Sequence, residues 1–119
     1  MKICLIFGHY NTVSSFNSAI RDTFIKEAKR LGHEIDLINL FEEEEQLPFY
    51  RSDINPPPKL VLEYRKRLEN SDVMFLMGAC HNLRMNVIVE NWIDWVLHPT
   101  WFFTYKSILP NSKFFKNYG

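Results

Sequence analysis

Three observations predict an α/β fold built on an open parallel sheet with helices on both faces. Short apolar runs recur at residues 3–7, 34–40 and 73–77. The segments between and after them include stretches whose apolar residues return every three to four positions, as on one face of a helix. Glycine punctuates the pattern, with Gly8 and Gly78 closing the first and third runs and Gly32 closing the first helical stretch. The 119 residues amount to a single domain, 1–119.

The first run, ICLIF, holds no charged residue and reads as a central strand covered on both faces. A polar loop follows. Ser15 or Asn17 can cap a helix over residues 16–31, which gathers Phe16, Ala19, Ile20, Thr23, Phe24 and Leu31 on one face. That arrangement leaves Arg21, Asp22, Lys26, Lys29 and Arg30 to solvent, and Gly32 ends the helix. Residues 34–40, EIDLINL, form a second strand, so the chain opens with a right-handed βαβ unit.

Residues 41–58 read as a long loop, with Glu42, Glu43, Glu44 and Glu45 in a row and Pro56, Pro57 and Pro58 forbidding helix. A helix over 59–70 turns Leu60, Val61, Tyr64 and Leu68 inward and keeps Arg65, Lys66 and Arg67 wet. Strand 73–77 follows, then a loop over 79–85 and a helix over 87–97 stopped by His98-Pro99. Met85, Ile88, Trp92, Trp95 and Val96 give this last helix a broad apolar face, suited to the core and to a dimer interface. Residues 101–119 read as an aromatic-rich loop without a strand. Only three strands are visible, so the third is expected to lack a neighbour on one side.

Composition narrows the function. Fourteen basic and fourteen acidic side chains leave a formal charge of zero, and no basic stripe marks a nucleic-acid surface. Aromatic residues crowd the last third, which points to a partner surface, a cofactor or a further segment. Two cysteines make no disulfide framework, the N-terminus is not a signal peptide, and no window spans a membrane. The expected location is the cytoplasm.

In open α/β sheets ligands sit beyond the carboxyl ends of the strands. After the first strand, Ser14, Ser15 and Asn17 stand beside the N–H groups of a helix start, a natural site for phosphate, with His9 as a further donor. The simpler alternative is that Ser15 and Asn17 only cap the helix. The loop GACHNLRM after the third strand lies next to it, and its backbone N–H groups can reach a flat polar ligand. Cys80 and His81 are adjacent, so their side chains point apart in an extended segment and make a poor catalytic pair. No spaced metal-ligand motif is present, no residue qualifies as a catalytic base, and neither GxGxxG nor GxxxxGK[ST] occurs. Asp36, Asp53, Asp72 and Asp94 do not converge at one strand end, which argues against a phosphoacceptor domain.

Three stretches carry a family resemblance: GHYNTVSSFNSAI, LGHEIDLINLFEEE and NWIDWVLHPTWFFTY. Together they resemble the NAD(P)H quinone oxidoreductase family of flavodoxin-like flavoproteins. The resemblance implies a flavodoxin-like sheet and hydride transfer from NAD(P)H through bound FAD, alternatively FMN, to a quinone, in a homodimer. It implies that His9, Ser15, Phe16 and Asn17 hold flavin phosphates, and that Ala79, Cys80, His81, Asn82 and Leu83 lie against the isoalloxazine ring. It further implies two more strands, so that the chain reads as cut short after the third helix. The sequence departs from the family pattern at Ala79, Asn82, Leu83 and Asn86, where prolines and an aromatic pair are usual, and at Trp95, where arginine is. The alternative expectation is a truncated, non-catalytic flavodoxin-like scaffold or interaction protein.

Overall fold

A computed structural model describes residues 1–102, apart from the side chain of Thr100; the expectation of a strandless aromatic loop falls almost wholly outside these residues. The first strand, β1 (Lys2–Gly8), is the centre of a parallel sheet. On one side it pairs with β2 (Glu34–Asn39), from Lys2 opposite Glu34 to Phe7 opposite Asn39. On the other it pairs with β3 (Val73–Gly78), from Ile3 opposite Val73 to Gly8 opposite Gly78. The order β2–β1–β3 puts the reversal of connection direction beside β1, where such sheets bind ligands.

Alternation along β1 divides the core between two faces. Cys4 and Ile6 face a cluster with Ile38 and Leu40, with Leu60, Val61 and Tyr64 of α2 (Lys59–Glu69), and with Val89, Trp92, Trp95 and Val96 of α3 (Val87–Val96). On the opposite face runs α1 (Phe16–Arg30), whose Phe24 meets Phe75 at 5.0 Å between ring centroids. Asp36 ties the sheet to α2 through Arg67, which also donates to the Leu37 carbonyl at 2.9 Å. The Arg67 hydrogen bond holds the Asp36 carboxyl below its ordinary pKa.

Several expectations change. The 79–85 segment is a two-stranded antiparallel hairpin, β4 (Cys80–His81) and β5 (Arg84–Met85), rather than a loop. Trp92 and Trp95 are buried in the core cluster, Trp92 against Tyr64 of α2 and Trp95 against Tyr50 of the long loop, so neither ring is left as a dimer surface. Arg21 is buried, not solvated: its guanidinium lies 4.7 Å from the Phe7 ring centre and donates to the Thr12 carbonyl at 2.8 Å. Phe16, expected on the buried face of α1, is 80% exposed, and Ile20 and Phe75 are exposed too. This apolar patch flanks β3, which pairs only with β1 among the described residues. A short helix, α4 (Pro99–Phe102), follows α3.

The long loop is strapped to α3. The Pro48 carbonyl accepts hydrogen bonds from Trp95 Nε1 at 2.8 Å and Asn91 Nδ2 at 3.0 Å, and the Tyr50 N–H donates to Asn91 Oδ1 at 2.8 Å.

Candidate functional site

The carboxyl ends of β1 and β3 meet at Gly8 and Gly78, and the absence of side chains there has a reason. A methyl group at Gly78 would sit 2.9 Å from the Gly8 carbonyl oxygen, and one at Gly8 would overlap Val89 Cγ2. Asn86 closes the junction. Its Oδ1 caps α3 by accepting from the Val89 N–H at 3.2 Å, and its Nδ2 donates to the Gly8 carbonyl. The helix start, the strand end and the hairpin are thereby fixed to one another.

Above this junction opens a crevice of about 440 Å³. The β1 exit contributes His9 and Tyr10, and the β2 exit contributes Phe41. The hairpin contributes His81, Asn82, Arg84 and Met85, and the first turn of α3 contributes Val87 and Glu90. Arg84 and Glu90 form an ion pair at 2.7 Å, and that hydrogen bond holds the Glu90 carboxyl below its ordinary pKa. The rim is thus polar and internally neutralised, while Phe41, Met85 and Val87 supply apolar surface.

His9 is oriented by its neighbour. Its Nδ1 lies 3.2 Å from the Asn11 N–H and 3.1 Å from the Asn11 carbonyl. Either tautomer therefore engages Nδ1 locally and leaves Nε2 to meet a ligand. The ring stacks on Tyr10 with centroids 4.7 Å apart.

Ser15 caps α1. Its hydroxyl accepts from the Ser18 N–H at 3.0 Å and donates to the Asn11 carbonyl at 2.8 Å, while Ser18 Oγ accepts from the Ser15 N–H at 2.9 Å. Asn11 Oδ1 accepts from the N–H groups of Ser14 at 2.9 Å and Val13 at 3.3 Å. The hydroxyl expected to bind phosphate is therefore committed to the loop itself. What remains at the helix start are the backbone N–H groups of Phe16 and Asn17, which make no hydrogen bond among the described residues.

The structure brings His9, His81 and Asn82 together at the crevice. Ser15, Phe16 and Asn17 lie along the start of α1, and the Phe16 ring faces a separate surface patch with Ala19, Ile20 and Thr23. Ala79 is half-buried and Cys80 is exposed. Leu83 stands at the hairpin tip, 98% exposed, with φ of 63° beside Asn82 at 50°. Two consecutive positive φ angles make a type I′ turn; asparagine takes that conformation readily, whereas leucine does so at a cost of roughly 1 kcal/mol. Sequence reasoning passed over Tyr10, Phe41 and Glu90 as site residues, and took Arg84 and Met85 as such only through the backbone of the loop GACHNLRM. Only their position just after strand ends, or at the start of α3, could have signalled them.

The model of the flavodoxin-like fold family matches residues 1–117. A search among curated protein sequences finds no match. Among solved structures the chain is similar to an NAD(P)H:quinone oxidoreductase from Methanothermobacter marburgensis, with a TM-score of 0.73 and 17% identity over 82% of this chain and 53% of that one. It is similar to a Klebsiella pneumoniae protein assigned as a quinone reductase, with a TM-score of 0.71 and 19% identity over 82% and 45% of the two chains. It is also similar to Smu.1420 from Streptococcus mutans UA159, with a TM-score of 0.68 and 21% identity over 89% and 58%. The chain thus spans about half the length of these structures. At these identities the likeness establishes architecture, and with the family match it leads to one conclusion: the chain belongs to the flavodoxin-like fold family.

Proposed function

We propose that this chain carries the flavin-binding part of an NAD(P)H:quinone oxidoreductase that passes hydride from NAD(P)H through FAD or FMN to a quinone. The observation that carries the reading is the crevice at the paired ends of β1 and β3, with His9 Nε2 and the start of α1 beside it. The named neighbours support the same class of reaction.

The residues present fit a flavin. The crevice volume falls within the range of small-molecule sites, roughly 300–1,000 Å³. The Phe16 and Asn17 N–H groups and His9 Nε2 are donors suited to a phosphate. Phe41, Met85 and Val87 offer apolar surface to a ring, and the hairpin backbone offers polar groups at its edge. When bound, the flavin supplies the hydride chemistry. The protein's part is placement: Arg21 anchors the first loop through the Thr12 carbonyl, and Asn86 holds the α3 start against Gly8. Substrate and nicotinamide would use the crevice in turn, within a homodimer.

The test is flavin uptake. The protein should purify yellow or turn yellow with added FAD or FMN. His9→Ala removes one ligand hydrogen bond and should weaken flavin binding about tenfold. A protein that stays colourless with both flavins, or a His9→Ala variant with unchanged affinity, refutes the respective part of this reading. The first outcome would favour the non-catalytic scaffold.

A further inference from the structure

A second cavity, of about 240 Å³, lies beneath the long loop at the C-terminal end of α3, away from the crevice at the N-terminal end of that helix. Its wall is aromatic. Tyr50 meets Trp95 edge-on, with centroids 5.0 Å apart and planes at 81°. Its ionisable lining residues are Arg65, Arg51 and His98, of which the two guanidinium ions carry fixed charge.

Arg65 is the unusual one. It is half-buried and donates through Nε to the Val96 carbonyl at 3.2 Å and through Nη2 to the Trp95 carbonyl at 3.0 Å. Among the described residues no carboxylate comes within 4.0 Å of it. Its guanidinium also lies over the Trp101 ring, 5.3 Å from the centroid. The ring and the last carbonyls of α3, whose terminus carries about half an elementary charge, offset only part of the Arg65 charge. Burial accordingly pulls the Arg65 pKa below its ordinary value. Arg51, which also lines the cavity, pairs with Asp53 through Nε and Nη2. A partly dehydrated cation without a counterion, facing a concave aromatic wall, is an arrangement that a small anion completes.

We propose that this cavity is a binding site for a small planar aromatic carboxylate. The carboxylate meets Arg65 and Arg51, and the ring lies against Tyr50, which Trp95 backs edge-on. The volume, below the usual range for drug-sized ligands, suits a single-ring molecule. The proposal is independent of flavin binding.

The probe is benzoate, titrated at constant ionic strength and followed by tryptophan fluorescence and by ligand-observed NMR. Two comparators separate its features: benzamide has the ring without the charge, and inorganic phosphate has charge without the ring. Benzoate should bind saturably, with each comparator at least about tenfold weaker. Arg65→Met should weaken benzoate by about tenfold or more, and Arg51→Gln by about threefold. Arg51 is exposed, so its variant decides the matter if circular dichroism shows that Arg65→Met does not fold. Absence of saturation with benzoate, equal binding of either comparator, or wild-type affinity in a folded variant overturns the proposal.

Discussion

Replacing Gly8 by alanine tests whether the junction beneath the crevice is as tightly built as the structure shows. The new methyl group would overlap Val89 Cγ2 and lie 3.4 Å from both Asn86 Oδ1 and Ile88 Cγ2. Val89 is fully buried and β-branched on a helix, so it has essentially one rotamer and cannot turn aside. The α3 start must move instead, against the Asn86 cap. Overpacking of this kind costs about 1–3 kcal/mol, and the locked rotamer places Gly8→Ala near about 3. Val89→Ala alone removes two methyl groups at about 0.8 kcal/mol each and leaves a small void, for a total near 2 kcal/mol. In the double variant the alanine at position 8 occupies the space that Val89 vacates. Its loss should be about 2–3 kcal/mol, not the sum of about 5. Urea unfolding followed by tryptophan fluorescence measures all three, because Trp92 sits in the same cluster as Val89. A neutral Gly8→Ala variant, or a double variant whose loss equals the sum within about 0.5 kcal/mol, refutes the close approach of β1 and α3.

Asp36→Asn should cost about 1–3 kcal/mol, since it strips the carboxylate from Arg67 and leaves that guanidinium with the Leu37 carbonyl and a longer contact to Glu43. Because Arg67 lowers the Asp36 pKa in the folded state, this contribution is present above the ordinary value of 3.8 and disappears as pH falls through the lower folded value. Acid titration of stability should therefore show a smaller fall for Asp36→Asn than for the wild type, and identical profiles would discount the pair. The two thiols should differ sharply: Cys80 is exposed, whereas Cys4 is fully buried and its pKa is pushed up to about 11, chiefly by burial. A native-state thiol assay should count one cysteine and a denatured-state assay two; rapid modification of both in the native protein would contradict the placement of β1.

The strands and helices were legible because their patterns are simple. An uncharged run such as ICLIF can be satisfied only where both faces are covered, and β1 is indeed central. Tyr64 and Leu60 fell inward on α2 as their spacing required. Arginine was the recurring misreading. Arg21, Arg65 and Arg67 look like solvated helix positions, yet each lies against carbonyls, a ring or a carboxylate, because guanidinium can satisfy itself with planar partners while its stem packs. The hairpin was hidden for a different reason. A type I′ turn is usually announced by glycine, and Leu83 occupies the second position here. In the candidate site, the capping role of Ser15 was readable from its position, but the residues that line the crevice from three separate strand ends were not. Their convergence depends on strand order and register, which local sequence does not encode.

The strap between Pro48 and α3 has a consequence for chain entropy. A loop as long as residues 41–58 is unusual in a small domain when it has no regular structure. Here it is not one long excursion. The Pro48 carbonyl, held by Trp95 and Asn91, with the Tyr50 N–H on the same asparagine, divides it into two short arcs on either side of a fixed point. Insertions and protease nicks should be tolerated in the arcs, around Glu44 or Ser52, and resisted at residues 48–50. The acidic arc can thus vary in length without disturbing the fixed point from which the second arc departs.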